Sequence, residues 1–89
     1  MTRHQVYYKV SELLRSADLS RDFSLFLFVK PHNNGSLICR ELKWNAGVQR
    51  WEMLSYLFSH TVEGYIENNI KNLEYFGSIY QVMLSQALP

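Results

Sequence analysis

Residues 23–30 read Phe23, Ser24, Leu25, Phe26, Leu27, Phe28, Val29, Lys30, with apolar side chains in both phases of a two-residue period. Successive strand residues point to opposite faces of a sheet. Phe23, Leu25, Leu27 and Val29 therefore share one face, and Phe26 and Phe28 the other. Both faces of this strand favour leaving water. A chain of 89 residues has little structure with which to cover two faces.

Upstream, Thr2 and Gln5 have the spacing of a capping box. Val6, Val10, Leu13 and Ala17 follow at helical intervals, flanked by Tyr7 and Leu14. A first helix is predicted to end around Ser16, Ala17 and Asp18. After the strand, Pro31 through Gly35 read as a turn, with Asn34 and Gly35 the residues that tolerate positive φ. A second strand is predicted over 37–44. A two-residue loop sets Leu27 opposite Leu42, and a four-residue loop sets Leu25 opposite Leu42. Either register puts Ile38, Leu42 and Trp44 with the Leu25 face, and Cys39, Glu41 and Lys43 with Phe26 and Phe28.

Asn45, Ala46 and Gly47 resemble a three-residue hairpin loop with Gly47 in the left-handed position. A third strand over 48–54 then sets Arg40 beside Glu52 and Cys39 beside Met53, and adds Trp51 and Met53 to the Phe26 face. The competing reading makes residues 48–59 helical, because Val48, Trp51, Leu54 and Phe58 also fit a 3.6-residue period. A last helix begins near Thr61, a capping residue, with Glu63 in its first turn. Its apolar stripe is Ile66, Ile70, Leu73, Phe76, Tyr80, Met83 and Leu84. A straight helix over 62–88 would span about 40 Å, longer than a domain of this size is wide. A break is expected near Asn68–Asn69, Asn72 or Gly77. The predicted fold is a single α+β domain over residues 1–89, in the order α-β-β-β-α, an antiparallel meander packed against N- and C-terminal helices. The variant order is α-β-β-α-α.

Composition adds weight to the aromatic pattern: 15% of residues are Phe, Trp or Tyr, within a 47% hydrophobic chain. Aromatic rings dominate both cores and interfaces. The net charge is +1, but residues 1–50 carry eight Lys/Arg against four acids, and residues 51–89 carry Lys71 against four glutamates. Such polarity can orient copies or steer a partner. Cys39 is the single cysteine, so neither an intramolecular disulfide nor a multi-cysteine zinc site can form. The first residues lack a signal-peptide core, and the longest apolar run, 25–29, is far short of a membrane span. A cytoplasmic location is expected.

No catalytic, metal or cofactor signature emerges. His4, His32 and His60 lack a second His or Cys at metal-ligand spacing, and Cys39 has no evident helix N-terminus or cation cluster to activate it. Pairing of Cys39 with His32 as nucleophile and base puts one residue in the loop and the other well down the strand. Glu63 and Glu67 form a common solvated face, and the four glycines are too scattered for a phosphate loop. The order helix, three strands, helix is shared by double-stranded-RNA-binding domains. Those hold phosphates with basic residues at the second helix, and here residues 61–67 are acidic. The chain is therefore expected not to be an enzyme and to use no cofactor.

The aromatic second face remains as the functional clue. If one helix covers each face, nothing is left over. If both helices lie on the Leu25 face, the other is an exposed apolar patch of the kind that marks a contact site. The expectation is a non-catalytic protein-binding module, acting as a regulatory, adaptor or inhibitor protein or as a homodimer. Its anchors are Phe26, Phe28, Trp51 and Met53 with Lys43, and Tyr80, Met83 and Leu84 of the C-terminal helix form a second contact. The alternative is single-stranded nucleic acid stacked on the same face, disfavoured because Glu41 interrupts Lys30, Lys43 and Arg50. A third, weaker alternative is an enzyme using Cys39.

Overall fold

Helix α1 (Arg3–Ser16) starts at the predicted capping box. The Thr2 hydroxyl accepts from the Gln5 backbone N–H at 3.1 Å, and the Gln5 side chain accepts from Thr2 N–H at 2.8 Å. Two N–H groups that the helix cannot satisfy internally are thereby paired, an arrangement worth about 1 kcal/mol. Val6 and Val10 are buried, with Tyr7, Leu13, Leu14 and Ala17 packed beside them.

The computed structural model describes residues 1–52, 57–58 and 62–87, with 57, 58, 62 and 63 described by backbone alone. The remaining elements are β1 (Phe23–Pro31), β2 (Ile38–Asn45), β3 (Arg50–Glu52), β4 (Leu57–Phe58), α2 (Val62–Glu74) and β5 (Gly77–Ser85). The fold is α+β: an antiparallel sheet in the order β4-β3-β2-β1-β5 carries both helices on one face. Strands β1 to β4 form the meander, and β5 returns to pair with β1.

Strand β1 is central and alternates buried with half-buried positions along its apolar run. Phe23, Leu25, Leu27 and Val29 lie under the helices with Leu42, Trp44, Ile79 and Val82. Tyr65, Ile66, Ile70 and Leu73 of α2 complete the core. The β1–β2 register is that of the longer loop, with Leu25 opposite Leu42 and Phe23 opposite Trp44. Asn34 takes the left-handed backbone there, at φ 59°.

Two expectations are corrected. The β2–β3 turn spans residues 46–49, and its left-handed residue is Gln49, at φ 54°, while Gly47 stays in the ordinary region. That longer turn pairs Trp44 with Trp51 and Lys43 with Glu52. A shift of odd length exchanges the two faces of a strand, so Trp51 points under the helices and is fully buried. It stacks on Tyr65 (5.4 Å, 14°) and meets Phe23 and Trp44 edge-on. The helical reading of residues 48–59 fails over the described part, where 50–52 and 57–58 are strands. Met53 lies outside the described residues.

The second correction concerns the C-terminal helix. It stops at Glu74, and residues 77–85, expected to continue it, form β5. Against β1, Leu27 pairs with Val82 but Val29 with Ile79, so Tyr80 is an extra, bulged residue. The inward side chains are Ile79, Val82 and Leu84, separated by three and then two positions. A bulge thus gives part of a strand the spacing of a helix. As a result Leu84 is packed against the core, while Tyr80 and Met83 belong to the opposite face.

An outer strand exposes backbone groups that invite pairing with other chains. Here α1 lies along β5. The Met1 amino group donates to the Ile79 carbonyl at 3.0 Å, and at the other end Gln86 grips the Asp18 backbone.

Helix α1 is joined to the end of α2 by Arg3 and Glu74, with Arg3 Nε donating to Glu74 Oε1 at 2.8 Å. The Arg3 hydrogen bond holds the Glu74 carboxyl below its ordinary range, and the Glu74 hydrogen bond raises the Arg3 pKa. A carboxyl whose folded pKa is depressed contributes stability above its unfolded pKa, near 4.3, and loses it as pH falls through the folded value. The pair is exposed and solvent-screened. Acid titration followed by circular dichroism should therefore show Arg3→Met slightly less stable than the parent at pH 7. The two curves should draw together as pH falls below about 4.3 and meet once Glu74 is protonated in the folded protein.

Candidate functional site: the open face of the sheet

With both helices on the Leu25 side, the second face of β1 has no covering element among the described residues. Phe26 and Phe28 project from it half-buried, their rings 6.5 Å apart. Tyr80 stands 6.2 Å from Phe28, and Lys30 lies over the Tyr80 ring at 5.0 Å. Met83 sits directly across from Phe26 and is 46% exposed. The bulge matters here. Tyr80 would otherwise point into the core, and the extra residue turns it out beside Phe28.

Cys39 is a free, exposed thiol opposite Phe28 on β2, and Glu41 lies opposite Phe26. Glu41 accepts a hydrogen bond from the Ser24 hydroxyl at 2.7 Å. Farther across, exposed Lys43 pairs in register with Glu52. Asn45 Nδ2 donates to the Glu52 carboxylate at 3.0 Å. The face thus has an aromatic and thioether centre on β1 and β5, with a rim on β2 and β3 where acids alternate with lysines.

Of the sequence-predicted anchors, Phe26, Phe28, Tyr80 and Met83 meet in one patch, with Lys43 at its rim. The structure joins as one surface what the sequence suggested as two contacts. Trp51 and Leu84 do not belong to it, for the reasons of register and bulge given above. Sequence reasoning missed the alliance of Tyr80 with Phe28. The available signal was Gly77, a helix breaker followed by residues rich in β-formers.

The histidine–cysteine pair is not assembled. His32 Nε2 lies 3.1 Å from the Glu74 carbonyl oxygen, at the end of the sheet, whereas Cys39 faces outward beside Phe28. Among the described residues no group of three His, Cys, Asp or Glu side chains is placed to hold a metal ion. No helix among them is long and apolar enough to cross a membrane. Compared with protein-family models, with curated proteins and with solved structures, the chain finds no match in any of the three.

Proposed function

We propose that this chain is a small non-catalytic protein-interaction module that binds a protein through the open sheet face. It would serve as a regulatory, adaptor or inhibitor protein, or associate with its own copies. One observation carries the reading: both helices lie on one face, and the other presents Phe26, Phe28, Tyr80 and Met83 to solvent. Aromatic residues and Met are enriched at the centres of protein interfaces, inside a polar rim. The rim here carries Lys30, Lys43 and Arg50 against Glu41 and Glu52. Cations interrupted by acids suit a protein surface better than a phosphate backbone, which calls for a run of cations. The single cysteine, unable to form an internal disulfide, supports a cytoplasmic setting.

Sedimentation equilibrium of the parent, Phe28→Ser and Met83→Ser, alongside chemical denaturation, tests this reading. Both variants should stay folded and lose no more than about 2 kcal/mol, since half-exposed side chains forfeit only part of their burial. Any association seen in the parent should weaken. A monomeric parent whose variants lose several kcal/mol would make these residues part of the core. Salt-sensitive retention of a labelled single-stranded oligonucleotide, abolished by Phe28→Ser, would turn the assignment to nucleic acid.

A further inference from the structure

The inward-facing positions of β2 are Ile38, Arg40, Leu42 and Trp44. Three are the apolar residues that a sheet face beneath helices demands, and the fourth is an arginine. Arg40 lies directly across from Leu27, which is fully buried, yet is itself exposed. Helix α2 makes its main contacts with β5 and β3, and beside Arg40 a gap separates β2 from the helix. The gap is a cleft of about 410 Å³ lined by Arg40, Asn69, Asn72, Leu73, Tyr75 and Phe76. A second hollow, sharing Arg40 and Asn69, continues along β2 and is lined further by Glu41, Leu42, Lys43, Glu52 and Tyr65.

Among the described residues no carboxylate pairs with the Arg40 guanidinium; the ion pair they contain is Arg3–Glu74. A leucine at this position would extend the apolar floor between Ile38 and Leu42. The chain instead keeps a cation where the pattern calls for a hydrophobe, and local departures from pattern concentrate at functional sites. Around it the walls are of two kinds. Asn69 and Asn72 bring amides, the Asn69 amide being fixed by its donation to the Tyr65 carbonyl at 3.0 Å. Leu73 is buried, while Tyr75 and Phe76 are 83% and 58% exposed at the mouth.

We propose that this cleft binds a small organic monocarboxylate with an aromatic or branched apolar body. The Arg40 guanidinium takes the carboxylate through two parallel N–H···O bonds. The Asn72 amide supports the same group, and the body lies over Leu73, covered by Tyr75 and Phe76. Arg40 is the one charged residue lining the cleft itself, and Glu41 and Glu52 line the adjoining hollow with Lys43, so the site matches one negative charge rather than the two of a phosphate monoester. The volume falls within the range of small-molecule sites, about 300–1,000 Å³. The cleft is on the helix side of the sheet, so this inference stands independently of the aromatic face.

Titration of the ¹⁵N-labelled full chain with 3-phenylpropionate, followed by NMR, tests the proposal. Saturable shifts are expected at Arg40 Nε–H, the Asn72 side-chain amide and the Tyr75 and Phe76 backbone amides. The Kd should be about 1 mM, as fits a ligand of this size. Arg40→Met, a change at an exposed side chain, should weaken binding at least tenfold. The neutral analogue 3-phenylpropanol should be weaker by a similar factor on the parent protein, which removes dependence on any variant's folding. Absence of saturable shifts at these groups would overturn the proposal. So would equal binding by Arg40→Met or by the alcohol, or tighter binding of phenyl phosphate.

Discussion

Replacing Gly77 by alanine should unfold the start of β5 and cost about 3 kcal/mol or more, the upper end of what overpacking does. A Cβ on Gly77 would stand 2.1 Å from the Lys30 carbonyl oxygen and 2.8 Å from the Pro31 Cα. Both neighbours are backbone, so no side chain can swing aside. The contact arises because Gly77 pairs with Pro31 just beyond the turn out of α2, where His32 N–H donates to the Phe76 carbonyl at 2.9 Å. Relief would require β5 to move off β1, and Ile79, Val82 and the patch residues Tyr80 and Met83 would move with it. For a domain of this size the melting temperature should fall by at least about 12 °C. Differential scanning calorimetry reads that loss; a drop of only a degree or two would mean the strand ends are not held this closely.

The second large effect lies at Trp51. Truncation to alanine removes the ring between Phe23, Trp44 and Tyr65 and should cost about 3–5 kcal/mol. The two tryptophans should then separate in a less obvious comparison. Trp44 Nε1 donates to the Leu19 carbonyl at 2.9 Å, while the buried Trp51 Nε1 has no partner among the described residues. Phenylalanine removes a hydrogen bond in the first case and an unsatisfied donor in the second, and a buried unpaired donor costs about 1–3 kcal/mol. Trp51→Phe should therefore be milder than Trp44→Phe by about 1–2 kcal/mol, although Trp51 is the more buried. Urea denaturation of both variants checks the order, and the reverse order would remove the unpaired indole from the account.

The sequence carried the parts of the fold set by local chemistry. The Thr2–Gln5 capping box, the β1 alternation and the β1–β2 pairing all follow from residues near one another in the chain. What it concealed was decided by single-residue offsets. Nothing in residues 46–49 announces that Gln49 rather than Gly47 takes the left-handed backbone, and that choice alone moves Trp51 from one face to the other. In β5 the extra Tyr80 breaks the two-residue alternation, leaving Ile79, Val82 and Leu84 at intervals that also suit a helix. The candidate site was legible to the same degree. Phe26 and Phe28 needed only strand parity, whereas Tyr80 and Met83 needed the bulge and the crossover of β5. Arg40 could be placed on the inward face by parity, but its exposure depends on where α2 crosses the sheet.

The proposed function rests on the open face, where the same strand that builds the core builds the patch. β1 places Leu25, Leu27 and Val29 under the helices, and therefore cannot avoid presenting Phe26 and Phe28 on the other side. A chain selected only for folding would favour Thr, Lys or Glu at those two positions, as strands with one solvated face do. Keeping phenylalanine there, with Tyr80 and Met83 beside it, is intelligible if another protein covers them.

Cys39 offers the direct test, as the single cysteine, exposed and opposite Phe28 on that face. A photoactivatable benzophenone attached to its thiol, irradiated in an extract of the native cells, reports what lies over the patch. The expected product is a discrete protein adduct, either a second copy of the chain or another polypeptide. It should be lost in Phe28→Ser and retained in Lys9→Ala on the far side of the molecule. A diffuse set of adducts indifferent to Phe28→Ser, or an adduct with nucleic acid, would contradict it.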